Sequence, residues 1–381
     1  IISSNDPDEP VITVPVTLMV DSTSSAVNIE IDNLAGWNLV GLPLEVEDNY
    51  YQILFPDAID NTLFSYNGSY ISDTTLIHGE GYWLRFENEG TSTINGTPID
   101  ELTIYLSEGW NLVSGITETV SVYAIVDPDS IIVPNTIFGY GIDGYFPSEI
   151  LEPGEGYWLR AFQDGEITLT SDVIARVASQ TYSLNGKANI ISINGSDLYF
   201  GVELSGSERL SYSLPPKPPT GAFDVRFKDG WRAIKDYGVV EVMSTTETLT
   251  IAYDIMHNAG EHYNWVLSSE ALDDYVLDDV GELTVPSAER FTLELKAVVP
   301  ATFTLHQNFP NPFNPITTLS YDLPKDSDVR LAIFDMLGNE VSTLVNTNQQ
   351  AGFKSVQWDA TDSMGRPVSA GVYLYQIQAG E

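Results

Sequence analysis

An internal repeat is the sequence feature that most restricts how this chain can fold. The segment Gly36–Val40 reads Gly-Trp-Asn-Leu-Val and returns as Gly109–Val113, while Gly79–Arg85 reads Gly-Glu-Gly-Tyr-Trp-Leu-Arg and returns as Gly154–Arg160. Between these motifs, Leu-Phe-Ser-Tyr ending at residue 66 corresponds to Ile-Phe-Gly-Tyr ending at residue 140. Three motifs that keep their order over a period of about 74 residues indicate two structurally equivalent units.

The residue types inside the motifs predict β-strands. Strand alternation places Trp37 and Leu39 on one face and Asn38 and Val40 on the other. The Gly-Glu-Gly triplet predicts a tight turn that leads into the Tyr-Trp-Leu-Arg strand. We therefore predict an N-terminal acidic lead and strand at 1–34, a first β repeat at 35–107 and a second at 108–171.

The rest of the chain also has the pattern of a β protein, with short strand-forming runs separated by turn residues. Short β-branched and aromatic runs are interrupted throughout by turn residues, including 29 Gly and 21 Pro, and helical periodicity is almost absent. We predict a β-sandwich domain at 172–300 and an Ig-like domain at 301–381. The proline-dense segment Leu214–Pro219 predicts a sandwich corner, with a docking edge for a partner as the alternative. The predicted fold class is all-β, with several β-sandwich or Ig-like modules in tandem, including two internal repeats.

The charge balance excludes some partners. The chain has 54 Asp and Glu against 16 Lys and Arg, a net charge of −38. Nucleic acid and anionic lipid are bound through Lys and Arg, so neither is an expected partner. A solvated extracellular surface is the plain interpretation. Calcium binding is the alternative, and we expect no other cofactor. The densest acidic patch supplies the calcium candidates Asp273, Asp274, Asp278, Asp279 and Glu282.

Catalytic motifs are missing from the sequence. The chain has no cysteine, which excludes disulfides, thiolate metal sites and cysteine nucleophiles. The one histidine cluster, His257 and His262, has a spacing that does not place both rings on one helix face, and Gly260 lies between them. Nucleophile-elbow, phosphate-loop and dinucleotide patterns are absent. No apolar run reaches the roughly 18–20 residues of a membrane helix. We predict a non-enzymatic protein without a membrane span, and we assign no catalytic residue.

The four repeated tryptophans allow two interpretations. Trp37, Trp83, Trp110 and Trp158 are either core anchors of the two β units or an exposed platform on which sugar rings stack. The second interpretation predicts a carbohydrate-binding or adhesin module whose partners are glycans. The two repeats resemble the paired β modules with these motifs found in many secreted proteins of the Bacteroidota. That resemblance implies an extracellular setting and no specific chemistry.

The C-terminal segment carries a series of separate motifs. They are Phe303–Pro315, which contains Asn-Pro-Phe-Asn-Pro, then Thr317–Pro324, Val329–Gly338, Gly352–Trp358 and Gly371–Tyr375. This series resembles the type A sorting domain of the type IX secretion system, an Ig-like fold similar to that of flagellar hook-capping proteins. The resemblance implies recognition by an outer-membrane translocon, often followed by cleavage or surface attachment.

Together these features predict a secreted structural protein of the cell surface or extracellular space. Members of the resembled family usually continue through a further hydrophobic strand beyond the position of Glu381. The strand-forming run Val11–Val20 therefore suggests a donor strand that completes the C-terminal sandwich of a neighbouring copy. Such head-to-tail self-association would build a filament. The alternative is that Val11–Val20 pairs within its own chain.

Overall fold

The computed structural model confirms the predicted all-β class. Its chain divides into two units, which consist of residues 1–132, 137–140 and 147–179 and of residues 133–136, 141–146 and 180–381. None of the helices in the described part is long and apolar enough to cross a membrane. The residues that the structure describes are 2–3, 11–12, 25–171, 184, 186–256, 263–270 and 272–380.

The first unit begins with a short strand pair. Strands β1 (Ile2–Ser3) and β2 (Val11–Ile12) are antiparallel. Part of the predicted donor run Val11–Val20 therefore pairs within its own chain, and its remaining residues lie outside the described ones.

The first repeat wraps two sheets around an apolar core that includes the fully buried Leu42, Leu44, Leu63 and Leu76. Its elements are β3 (Val27–Asn33), β4 (Gly36–Gly41), β5 (Leu44–Glu45), the helical turn α1 (Tyr51–Leu54), β6 (Phe64–Tyr66), β7 (Tyr70–Ser72), β8 (Gly81–Phe86) and β9 (Gly90–Pro98). The sheet orders are β4-β8-β6-β7 and β3-β9-β5.

The second repeat has the same central sheet, of order β11-β16-β13-β14, with two accessory pairs, β10-β17 and β12-β15. Its core includes Leu106, Leu151, Leu159 and Leu169. Its elements are β10 (Glu101–Leu106), β11 (Gly109–Ser114), β12 (Val120–Ser121), a 3₁₀ turn (Val122–Ala124), β13 (Phe138–Gly141), β14 (Gly144–Pro147), β15 (Ile150–Leu151), β16 (Gly156–Ala161) and β17 (Gly165–Thr170).

The third module is a sandwich of two five-stranded sheets. Their orders are β21-β19-β18-β23-β26 and β20-β22-β27-β24-β25. Alternating inward residues such as Ile191, Phe200, Leu249 and Leu293 are fully buried in its core. The elements are β18 (Asn189–Ile193), β19 (Ser196–Phe200), α2 (Gly206–Leu210), β20 (Asp224–Phe227), β21 (Ala233–Ile234), β22 (Tyr237–Met243), β23 (Thr248–Asp254), β24 (Tyr263–Ser269), β25 (Leu272–Leu277), β26 (Val280–Pro286) and β27 (Arg290–Ala297).

The C-terminal module is a smaller sandwich with sheets β28-β29-β32 and β31-β30-β33. Val329, Leu331 and Ile333 alternate along β30 on its inward face and are buried, as is Trp358. Tyr373 and Tyr375 pack against this core but are only partly buried. The strands are β28 (Thr304–Leu305), β29 (Thr317–Leu323), β30 (Ser327–Phe334), β31 (Glu340–Gln349), β32 (Gly352–Trp358) and β33 (Leu374–Ala379).

Candidate functional site

The tryptophans of the first repeat lie on paired strands. Strands β4 and β8 are antiparallel, with Trp37 opposite Arg85. Trp83 is fully buried and meets Trp37 edge to face, with ring centroids 6.4 Å apart and planes at 86°. The Trp83 indole N–H donates to the hydroxyl of Tyr70 at 3.2 Å. The Arg85 guanidinium lies 5.9 Å from the centre of the Trp37 ring, within cation–π range.

The second repeat reproduces this cluster with one difference. Trp158 is fully buried and meets Trp110 at 6.4 Å and 90°, and Arg160 lies 5.7 Å from the Trp110 ring. The Trp158 indole N–H, however, has no hydrogen-bond partner among the described residues. With the offset of 75 residues that relates Gly79 to Gly154, Tyr70 corresponds to Tyr145, whose hydroxyl donates instead to the Pro216 carbonyl at 2.8 Å.

The asparagines of both motifs hold the turn that precedes their strand. The Asn38 side chain accepts from the backbone N–H of Leu34 at 2.9 Å and donates to its carbonyl at 2.8 Å. Asn111 makes the same two bonds with Ser107, at 2.9 and 2.8 Å. The asparagine of Gly-Trp-Asn-Leu-Val is therefore a turn anchor in each repeat.

The buried tryptophans join the two repeats to each other. Trp83 of the first repeat packs edge to face on Tyr140 of the second, with centroids 4.7 Å apart and planes at 78°. Trp158 of the second packs on Tyr66 of the first at 4.8 Å and 77°. These reciprocal contacts relate the repeats by a pseudo-twofold axis, as in an isologous dimer. Tyr66 and Tyr140 occupy equivalent positions of the third repeated motif, and that equivalence was the only sequence signal for this contact.

Backbone hydrogen bonds cross the same interface in a matching way. The Gly41 N–H donates to the Gly154 carbonyl at 2.8 Å, and the Ser114 N–H donates to the Gly79 carbonyl at 3.1 Å. Gly79 and Gly154 have φ values of +81° and +80°, the left-handed conformation that glycine adopts without strain. The first glycine of Gly-Glu-Gly thus makes the predicted turn and presents its carbonyl to the other repeat.

The second glycine of the triplet has a separate role, which the sequence reasoning missed. A Cβ atom on Gly81 would lie 2.4 Å from the Val113 carbonyl oxygen, and one on Gly156 would lie 2.9 Å from the Val40 carbonyl oxygen. Only glycine allows this approach of backbone to backbone. The repeated motif is therefore an interface motif as well as a strand motif.

The glutamate and tyrosine of each Gly-Glu-Gly-Tyr motif are joined by a hydrogen bond within the motif. The Tyr82 hydroxyl donates to Glu80 at 2.9 Å, and the Tyr157 hydroxyl donates to Glu155 at 2.8 Å. Burial raises the pKa of both tyrosines, with their glutamates adding to the effect, and burial also raises the pKa of the Glu155 carboxyl. The hydroxyls of Tyr82 and Tyr157 therefore stay protonated at neutral pH and keep donating these structural hydrogen bonds.

Of the two interpretations of the four tryptophans, the exposed sugar platform is wrong for Trp83 and Trp158. Trp83 and Trp158 are 0% exposed, because each indole fills the space between the repeats. Trp37 and Trp110 are half-buried, with an arginine placed over each ring. The core-anchor interpretation therefore describes Trp83 and Trp158, and any ring stacking is limited to Trp37 and Trp110.

The calcium candidates do not converge. Asp273 and Asp274 are neighbours on β25, so their side chains point to opposite faces, and Asp274 pairs with Lys296 at 2.7 Å. Across the described ranges, no group of three or more Asp, Glu or His side chains is placed to hold a metal ion. This geometry gives no support to a site formed by Asp273, Asp274, Asp278, Asp279 and Glu282. His257 and His262 lie outside the described residues.

The proline-dense segment Leu214–Pro219 is held by side-chain hydrogen bonds to its carbonyls. Arg226 is buried, makes a two-pronged ion pair with Asp224 at 2.6 and 2.7 Å, and donates to the Pro215 carbonyl at 2.7 Å. The Tyr145 hydroxyl donates to the Pro216 carbonyl at 2.8 Å. Because these bonds satisfy the carbonyls of Pro215 and Pro216, the geometry favours the corner over the docking edge.

One family model matches part of the C-terminal module. Residues 315–381 match the family model of the FlgD Ig-like domain, over the part of the chain that contains β29 to β33. Neither a search of curated proteins nor a search of solved structures returned a match. The family match supports an Ig-like fold and a structural, non-catalytic role for this module.

Proposed function

We propose that this chain is an exported structural protein of the bacterial cell surface or extracellular space, and that residues 301–381 act as its type IX sorting domain. The observation that carries the proposal concerns the C-terminal sandwich. It contains the motif series Phe303–Tyr375, and its residues 315–381 match the FlgD Ig-like domain. The acidic, cysteine-free chain and the clustering of repeated motifs at a structural interface agree with a non-enzymatic role.

Secretion of the full chain, preceded by a signal peptide, in a bacterium with a type IX system tests this function. We expect the full chain on the surface or in the medium, and the chain without 301–381 in the periplasm. A strain without the translocon should retain both. Export that is unchanged by removal of 301–381 would refute the sorting role.

We also propose filament assembly by β-strand addition as the finer form of this structural role. The support is the strand-forming run Val11–Val20 and the position of β33 at the edge of its sheet, where β30 is its one partner among the described strands. A chain without residues 1–20 should fold into monomers that do not polymerise. Filaments of normal length from this shortened chain would contradict the donor-strand mechanism.

Glycan binding is the second candidate function, and the half-buried Trp37 and Trp110 favour it. The pseudo-twofold relation would make the two rings equivalent stacking positions for sugars. A glycan array probed with the full chain and with Trp37→Ala/Trp110→Ala tests it. Loss of the signals in the double variant supports glycan binding, and an array without hits removes it.

A further inference from the structure

The hairpin loop between β6 and β7 is fixed at both ends and open in the middle. Tyr66 and Tyr70 pair across it, so Asn67, Gly68 and Ser69 form a three-residue loop, and all three of these residues are exposed. No atom lies within 4 Å of the position that a Cβ atom would take on Gly68. The loop therefore presents an Asn-Gly pair to solvent without steric cover.

The side-chain amide of Asn67 is not held in place. Its backbone N–H donates to the Ser69 carbonyl at 3.1 Å, but neither its amide nor the N–H of Gly68 has a hydrogen-bond partner in the part of the chain that the structure describes. When the nitrogen that follows an asparagine attacks the side-chain carbonyl carbon, a five-membered ring closes. Such an intramolecular attack depends on the freedom of the two groups to reach a near-attack geometry. Asn67 has that freedom.

The other Asn-Gly pairs that the structure describes are held by hydrogen bonds. Asn95 lies within β9 and donates to the amide oxygen of Asn28 at 2.8 Å. Asn194 accepts from the backbone N–H of Thr250 at 2.8 Å. These amides must first lose a partner before a ring can close, so they react more slowly. The fourth pair of the sequence begins at Asn185, which lies outside the described residues.

We propose that Asn67 is a site of spontaneous modification, at which the folded chain converts asparagine to isoaspartate. The Gly68 nitrogen attacks the side-chain carbonyl carbon of Asn67, and a succinimide ring forms. Ammonia leaves, made from the side-chain amide and the proton of the Gly68 N–H. Water then opens the ring at either carbonyl, which gives aspartate or, where the side-chain linkage is kept, isoaspartate. Water is the only co-reactant, and no enzyme, oxidant or reductant takes part.

Isoaspartate at this position alters the interface between the two repeats. It routes the backbone through the side chain, so the loop gains one carbon atom, and loop length fixes the register of a hairpin. Tyr66 packs on Trp158 of the second repeat, with centroids 4.8 Å apart, and the Tyr70 hydroxyl accepts from the Trp83 indole N–H. Both contacts depend on the pairing of Tyr66 with Tyr70. Conversion of Asn67 therefore weakens the packing of the repeats as the protein ages.

Peptide mapping by mass spectrometry of the full chain, stored at neutral pH, tests the reaction. In the folded chain we expect conversion at Asn67 to be about tenfold or more faster than at Asn95 and Asn194. In urea the difference should vanish, because no hydrogen bond then holds any of the amides. Asn67→Gln is the matched control, since its longer side chain must close a six-membered ring, and it should form no product. Equal rates at Asn67 and Asn95 in the folded chain would overturn the proposal.

Urea unfolding of the aged chain tests the effect on the interface. The isoaspartate form, separated from the aspartate form by chromatography, should unfold at a lower urea concentration than the fresh chain. Freshly prepared Asn67→Asp, which adds the same charge and keeps the normal backbone, should unfold like the unmodified chain. If the isoaspartate form is as stable as the fresh chain, the modification does not reach the contacts of Tyr66 and Tyr70.

Discussion

The first and second repeats each place a buried tryptophan at the equivalent position of their central sheet, but the hydrogen bonding of its indole N–H differs between them. Trp83 donates to Tyr70, whereas Trp158 has no hydrogen-bond partner in the described part of the chain. Both rings still pack on a tyrosine of the other repeat with nearly identical geometry. The comparison teaches that packing between the repeats, and not the hydrogen bond, determines where these rings lie, since the arrangement survives without the bond.

The largest effect is expected where the two backbones approach most closely. Gly81→Ala should lower the free energy of unfolding by about 3 kcal/mol, because its Cβ would meet the Val113 carbonyl oxygen at 2.4 Å. Gly156→Ala should cost less, roughly 1–2 kcal/mol, since its contact is 2.9 Å. Tryptophan-fluorescence-monitored urea unfolding measures both. Gly90→Ala, with 3.6 Å as its nearest contact, is the control, and an equal loss there would contradict this account.

Removal of the indole N–H should lower the free energy of unfolding by different amounts in the two repeats. Trp83→Phe and Trp158→Phe both lose ring volume, at a cost of about 2 kcal/mol each. Trp83→Phe should cost about 1 kcal/mol more, because it also breaks a hydrogen bond, while Trp158→Phe removes a donor that has no partner among the described residues. The paired difference in unfolding free energy is the measurement. A larger loss for Trp158→Phe would show that its N–H does have a partner.

The Tyr70 hydroxyl should account for that difference by itself. Tyr70→Phe leaves the buried Trp83 N–H without its acceptor and should cost about 1 kcal/mol. Tyr105→Phe, on a largely exposed ring, is the matched control and should change stability by less than about 0.5 kcal/mol. If the two variants are equally stable, the bond to Tyr70 contributes nothing.

The smallest expected effect is a pH dependence from Glu155. Burial raises its pKa in the folded state, so the stability it contributes is complete below the ordinary glutamate pKa and is lost as pH rises through the raised value. Glu155→Gln, which keeps an acceptor for Tyr157, should give a flatter stability curve between mildly acidic and neutral pH. Thermal unfolding midpoints across this range provide the test, and an unchanged slope in the variant would assign the pH dependence to other groups.

Local patterns were sufficient for much of the fold. Alternation in Val329, Leu331 and Ile333 predicts the inward face of β30, and these residues are buried. The glycines before Tyr82 and Tyr157 predict the turns that Gly79 and Gly154 make. These predictions succeed because strand alternation and left-handed glycine are properties of a few adjacent residues.

The candidate site was less predictable because it depends on residues far apart in the chain. Residue type makes Trp83 and Trp37 equal candidates for sugar stacking. Trp83, however, is buried between the repeats, whereas Trp37 is half-buried. The acidic residues near Asp274 are dense in sequence, yet strand alternation and the pairing with Lys296 separate them in space.

The sequence by itself determined the all-β class, the duplication and the Ig-like character of the C-terminal module, since each follows from short-range patterns or from motif order. The tertiary structure alone decided that Gly81 and Gly156 are points of backbone contact and that Trp83 and Trp158 are closed to ligands. The physical reason is that burial and close approach are set by the partner segment, and a linear sequence does not state which segment that is.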